Sequence, residues 1–143
     1  MREVTALDAA AEGLAEIEKT GSVETVHRRK HELPFADNSI DHIISWNVIY
    51  HGDEDILLRT ISEILRCLKP GGTYLGTMQS KRRLPHEHAK YPSNEIGRNS
   101  WIFDAPCIDK IHPHYFCSAA EFLALFSSFE VLNTKNWVSV TGI

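Results

Sequence analysis

The sequence predicts an α/β domain with a mostly parallel sheet flanked by helices, and three observations predict it. Short β-rich runs alternate with longer helical ones, as in successive βαβ units. The first strand candidate ends on Asp8, at the entry to a helix. At 143 residues, with 43% hydrophobic and 24% charged residues, the chain has the size and composition of one globular domain with a core of its own.

Val4 to Leu7 is an apolar strand ending on Asp8. From Ala9 to Thr20 the residues Ala10, Leu14 and Ile17 recur at helical spacing, and Gly21 is a natural stop. Val23 to Val26 reads as a second strand, followed by the basic run HRRKHE and the turn-like LPFADNS. Ile40 to Trp46 is apolar enough for a buried strand, with Ile43, Ile44 and Trp46 as its bulk. Asp53 and Asp55 then open a helix, where negative charge is favourable. Ile56, Leu57, Ile61, Ile64, Leu65 and Leu68 give that helix an apolar stripe. Lys69, Pro70, Gly71 and Gly72 end it, and Thr73 to Met78 is the next strand. These glycines follow a helix and precede a strand, the reverse of a phosphate loop, so a structural turn is expected. From Gln79 to Phe116 periodicity is lost, which predicts a long irregular segment. Ser118 and Glu121 form a capping box ahead of a helix from Ala119 to Phe126. Phe129 to Leu132 and Trp137 to Thr141 are read as a closing antiparallel hairpin.

Composition excludes several classes. No apolar run approaches the ~18 residues of a membrane span, and the N-terminal residues lack a secretory pattern. Cys67, Cys107 and Cys117 are odd in number and scattered, which argues against a disulfide framework and for a cytoplasmic setting. With 15 basic and 19 acidic residues, no global positive charge is available to hold nucleic acid.

The runs VTALDAAAEGLAEIEKTG, ELPFADNSIDHIISWNVIYH and ISEILRCLKPGGTYLGTM, with LPF-x-D-N-S-x-D and L-K-P-G-G within them, occur in the order and spacing of a known family. Over roughly residues 4 to 78 the chain resembles the class I S-adenosylmethionine-dependent methyltransferases. NEIGRNSWIF, IHPHYF and the helix before FEVL resemble their tellurite-resistance-type, small-molecule branch. The resemblance implies a Rossmann-like, doubly wound sheet and methyl transfer from S-adenosylmethionine to a small-molecule acceptor. It also implies that Val4 to Asp8 matches the family's second strand. The family's first strand carries a D-x-G-x-G-x-G loop around the methionine part of the cofactor, and this sequence has no counterpart. The expectation is therefore one domain over 1–143, truncated by its first strand-helix unit, with cofactor binding weak or absent and little activity.

The resemblance places Asp8 on the cofactor ribose, since a carboxylate accepts from two hydroxyls; an N-cap for the next helix is the other reading. Arg29 stands where the family contacts adenine through an acidic side chain, and Glu32 is the neighbouring acceptor. Trp46 and Asn47 are assigned to the cofactor and Tyr50 to the acceptor. His51 is the candidate catalytic base, its pKa lying near neutrality. The plainer alternative makes Trp46 and Tyr50 core and His51 a helix cap. His112, His114 and Tyr115 are candidate acceptor-binding residues. The C-x4-H-x-H-x2-C spacing of Cys107, His112, His114 and Cys117 matches no standard zinc module, so no metal is expected. A second functional reading is a non-catalytic methyltransferase-fold remnant acting as a self-associating module. In the family the first strand lies between the equivalents of Val4–Leu7 and Ile40–Trp46, so its loss unpairs both neighbours and predicts a homodimer.

Overall fold

The computed structural model describes residues 3–106 and 111–133. Strand β1 (Thr5–Asp8) leads into helix α1 (Ala11–Glu18) and back to β2 (Glu24–His27), which pairs with β1 in parallel. Gly21 turns the chain between them with φ +66°, a conformation that costs glycine little. A loop then leads to β3 (Ile40–Ser45), α2 (Glu54–Cys67) and β4 (Leu68–Gly76), the second parallel pair.

Helix α2 forms where its local signals place it. Asp53 caps it by accepting from the Ile56 N–H at 3.0 Å, Glu54 and Asp55 occupy its first turn, and Arg66 its last, each charge complementing the helix dipole. Its buried stripe, Leu57, Ile61 and Ile64, joins Ile49, Tyr50, Leu68, Met78, Tyr115, Cys117 and Phe126 in the core. Beyond Cys67 the chain passes directly into β4. Ile40 is opposite Leu68 but His42 is opposite Thr73, so Lys69–Gly72 is a bulge set within the strand. Gly71 has φ +78°. A Cβ on Gly72 would lie 2.9 Å from the Lys69 carbonyl oxygen and 3.0 Å from that of Asp41. The Pro-Gly-Gly segment thus serves chain geometry, as its sequence position implies.

Three expectations need correction. The segment from Gln79 to Phe116 is largely ordered: it holds β5 (Gln79–Ser80), a 3-10 turn (Lys81–Arg83), α3 (Leu84–Lys90), β6 (Ser93–Gly97), β7 (Ser100–Phe103) and the start of β8 (His114–Cys117). These elements are too short to show a period, and every residue of β8 is buried, which abolishes alternation. Phe129 to Leu132 is irregular; Phe129 packs beside Phe126 at 5.7 Å between ring centroids while Leu132 is exposed. The partner proposed for it, Trp137 to Thr141, lies outside the described residues. Strand β3 is not buried on both faces: Ile43 packs on the core, but Ile44 is 71% exposed and Trp46 52%.

The described strands form three sheets, β1-β2, β3-β4 and β5-β8-β7-β6, rather than one continuous sheet. In the third, β5 and β8 are parallel while β6, β7 and β8 are antiparallel. Helix α4 (Ala119–Leu125) follows β8 and starts with the expected capping box. No described helix is long and apolar enough to cross a membrane.

The first two sheets are linked through the loop after β2. The Arg66 guanidinium donates to the carbonyls of Leu33 and Phe35 and to Asp37 and Glu63, and Glu63 accepts from the Leu33 N–H at 2.9 Å. Five donors on a rigid plane suit a clasp of this kind. It fixes where the chain enters β3.

Candidate functional site

In open α/β sheets ligands bind beyond the carboxyl ends of the strands, and both halves of the predicted site lie there. The Asp8–His27 pair ends the first sheet, and the Asp8 carbonyl accepts from the Arg28 N–H at 3.0 Å. His27 Nε2 lies 2.9 Å from the Ala9 carbonyl oxygen, tying the two strand ends together. Beside them Ala9, His27, Arg28, Arg29 and Glu32 line an open cleft of about 500 Å³, within the usual range for small-molecule sites.

One oxygen of Asp8 accepts from the Ala10 N–H at 2.9 Å, a turn bond ahead of α1; the helix itself has Ala10 as N-cap and no side-chain cap, so Asp8 is not its N-cap. An ionised carboxylate has several acceptor positions, and one such bond leaves capacity for a ligand. Glu32 is turned back into the cleft by a bond from its N–H to the Arg29 carbonyl at 3.0 Å. Arg29 lines the same cleft and has only donors to offer. The carboxylates at this end of the sheet are Asp8, at the strand end, and Glu32, in the cleft.

The second half follows β3. Asn47 has φ +55°; its N–H donates to Thr77 Oγ1 at 2.7 Å, and that hydroxyl donates to Asn47 Oδ1 at 3.2 Å. This pair pins the ends of β3 and β4 together. Trp46, beside it, is half-exposed. Tyr50 is 5% exposed and belongs to the core, in keeping with the plainer reading of that residue. His51 is half-buried, with Nε2 3.0 Å from the Asn47 carbonyl oxygen. A carbonyl only accepts, so Nε2 carries the proton of the neutral ring and Nδ1 is its basic nitrogen.

His51 forms an antiparallel bridge with His114, their ring centroids 4.5 Å apart. The Tyr115 N–H donates to the Tyr50 carbonyl at 2.9 Å, and the Gly52 N–H to that of Pro113 at 2.6 Å. Tyr50, His51, His114 and Tyr115 are therefore one assembly. His114 and Tyr115 are buried in it, and His112 is exposed beside it. Tyr115 Oη lies 3.2 Å from Asn99 Nδ2 and 3.5 Å from Glu54 Oε1; burial pushes its phenol pKa up. Asn99 also donates to Glu121, which accepts from Lys81 and the Ser118 N–H. Cys107 lies outside the described residues, and among those described no cluster suited to a metal ion occurs.

Two contributors escape sequence reasoning. Thr77 has no motif to mark it. Lys30, in the basic run after β2, donates to the His51 carbonyl.

Residues 1–72 match the family described as methyltransferase domain, while no curated protein matches the chain in sequence. Among solved structures, the chain is similar to a protein of Pyrococcus horikoshii OT3 (TM-score 0.77, 16% identity, 98% of this chain and 68% of that one). It is also similar to a SAM-dependent methyltransferase of Methanosarcina mazei (0.71, 17%, 99% and 77%). A third is the Burkholderia thailandensis 1,6-didemethyltoxoflavin-N1-methyltransferase, solved with bound 1,6-didemethyltoxoflavin and S-adenosylhomocysteine (0.66, 14%, 94% and 53%). The chain spans between about half and three quarters of these proteins' length. At such identities the likeness establishes a shared α/β fold, and with half of its own sequence matched the chain belongs to the methyltransferase-domain family.

Proposed function

We propose that the chain binds S-adenosylmethionine at the carboxyl ends of β1 and β2 and has the fold of an enzyme that methylates a small molecule. The observation that carries this reading is the placement of two carboxylate side chains, Asp8 and Glu32, at the end of β1 and in the cleft beside it. Asp8 would hold the ribose hydroxyls, and Glu32 the adenine amino group in place of Arg29. Trp46 and Asn47 would border the reactive end of the cofactor and His112 the acceptor, while Tyr50, His114 and Tyr115, which the sequence assigned to the acceptor, are buried and would support that wall from behind. When bound, S-adenosylmethionine supplies an electrophilic methyl group on its sulfonium. His51 would take the acceptor's proton on Nδ1, its orientation set by the bond from Nε2 to the Asn47 carbonyl and by contact with His114. No metal enters this scheme.

Equilibrium dialysis with S-adenosylmethionine tests the proposal on the parent chain and Asp8→Ala. Binding that Asp8→Ala weakens supports it, and no binding at millimolar cofactor rejects it.

A second reading, a self-associating module, is favoured by one face of the β3–β4 pair. Ile44 and its partner Leu75 are 71% and 57% exposed, and β3 pairs with β4 alone among the described strands. Exposed apolar surface beside an open strand edge favours association with a second copy. We expect a homodimer by sedimentation at tens of micromolar; a folded monomer there rejects this reading.

A further inference from the structure

We propose that the cleft at the ends of β1 and β2 is an anion site that takes a phosphate monoester, with Arg28 and Arg29 as the residues that receive it. The proposal goes beyond the cofactor reading and does not depend on it. S-adenosylmethionine carries no phosphate, and that reading leaves both guanidiniums unused. His27, Arg28, Arg29 and Glu32 line an open space of about 500 Å³ together with Ala9. The backbone that carries the arginines is fixed on both sides. The Arg28 N–H donates to the Asp8 carbonyl at 3.0 Å, and the Glu32 N–H to the Arg29 carbonyl at 3.0 Å. The two arginines thus stand between a strand end and a closed turn, and both are exposed to solvent.

Charge and donor count give the ligand's chemistry. Elsewhere in the fold cations are answered by carboxylates: Arg66 by Asp37 at 2.7 Å, Lys69 by Asp41 at 2.9 Å, Lys81 by Glu121 and Arg83 by Glu87 at 2.8 Å. Among the described residues neither Arg28 nor Arg29 has such a partner. Glu32, which lines the same cleft, lies instead 3.8 Å from His31 Nε2. Arg28 Nη1 donates to the His27 carbonyl at 2.9 Å, which leaves most of its donors unspent, and His27 commits Nε2 to the Ala9 carbonyl. A guanidinium offers five donors in a rigid fork that matches phosphate oxygens. A phosphate monoester brings about −1.5 to −2 charges at neutral pH, which two guanidiniums balance; a carboxylate would leave one of them unanswered. The Glu32 carboxylate only accepts, so the rest of the ligand presents hydroxyl or amino donors to it. A nucleoside monophosphate meets both demands and suits a cleft of this size. The chain's net charge of −4 opposes a long polyanion, which favours a small phosphorylated ligand.

The experiment compares adenosine monophosphate with adenosine, which differ by the phosphate alone. Dissociation constants are measured by calorimetry with the parent chain, Arg28→Gln and Arg29→Gln. We expect the monophosphate to bind the parent roughly tenfold to a hundredfold more tightly than adenosine, the value of a charge-assisted hydrogen bond. Each variant should lose most of that advantage and leave adenosine within about twofold. A parent that does not distinguish the two ligands, or binds neither, overturns the proposal. Equal losses for both ligands in the variants make the arginines structural and overturn it also. A second measurement needs no variant: raising salt from about 0.05 to 0.5 M should weaken the monophosphate and spare adenosine, and equal responses refute the proposal. Adding S-adenosylhomocysteine separates this site from the cofactor reading. Displacement of the monophosphate supports one shared cleft, in which a phosphorylated ligand competes with the cofactor. Monophosphate binding that S-adenosylhomocysteine never affects leaves the phosphate site standing and removes the cofactor from this cleft.

Discussion

Replacing Glu121 by Gln tests how the acceptor side of the site is held. The Glu121 carboxylate accepts from Lys81 Nζ at 2.8 Å, Asn99 Nδ2 at 3.0 Å and the Ser118 N–H at 2.8 Å, so it joins the 3-10 turn, the β6–β7 turn and the start of α4. The Lys81 ammonium, then the Ser118 N–H, hold its pKa down at about 2 from an ordinary 4.5. Taken at face value that depression is worth about 3 kcal/mol. The Lys81 side chain is 40% exposed, so solvent screening reduces the figure to about 2 kcal/mol. A carboxylate with a lowered folded pKa stabilises the fold fully above its unfolded pKa. Its contribution fades as pH falls from about 4.5 towards 2. Urea unfolding of parent and Glu121→Gln at pH 7, 4 and 2.5 is the assay. The gap between them should be about 2 kcal/mol at pH 7 and close on acidification. A gap that stays constant to pH 2.5 would show that Gln disturbs packing rather than charge, and the electrostatic account would be wrong.

Three further outcomes are expected. Gly72→Ala should cost about 1–3 kcal/mol in thermal or urea unfolding, because its Cβ meets two carbonyl oxygens at 2.9 and 3.0 Å within the β4 bulge; an unchanged midpoint contradicts this. Arg29→Glu should tighten S-adenosylhomocysteine binding several-fold in calorimetry by supplying an acceptor where the cleft has a donor; weaker binding would take Arg29 out of the adenine position. His51→Gln should reduce any methyl transfer by about 10²–10⁴ at saturating acceptor while leaving the cofactor dissociation constant unchanged, and equal loss of binding would make His51 a positioning residue.

The parts of the molecule legible in the sequence are those whose signals are local. Helix α2 was readable because Asp53, the apolar stripe and the glycines beyond it all lie within a few turns of each other, and Ser118 and Glu121 mark α4 for the same reason. The end of β1 at Asp8 was readable in the same way. Sheet β6–β8 was not, since its strands are short and β8 is buried throughout. The reach of Lys30 to His51 spans 21 residues and leaves no trace in local pattern. Strand β3 is the instructive case, because its residues and its surroundings disagree. Ile40, Ile43, Ile44 and Trp46 put apolar side chains on both faces of the strand, as parallel strands do when both faces are covered. The structure covers only the Ile43 face. The exposed Ile44–Leu75 pair is where sequence pattern and observed burial conflict, and natural sequences seldom sustain such a conflict without a partner. That mismatch, rather than any defect in the helices or the site, is the physical ground for expecting this face to meet another surface.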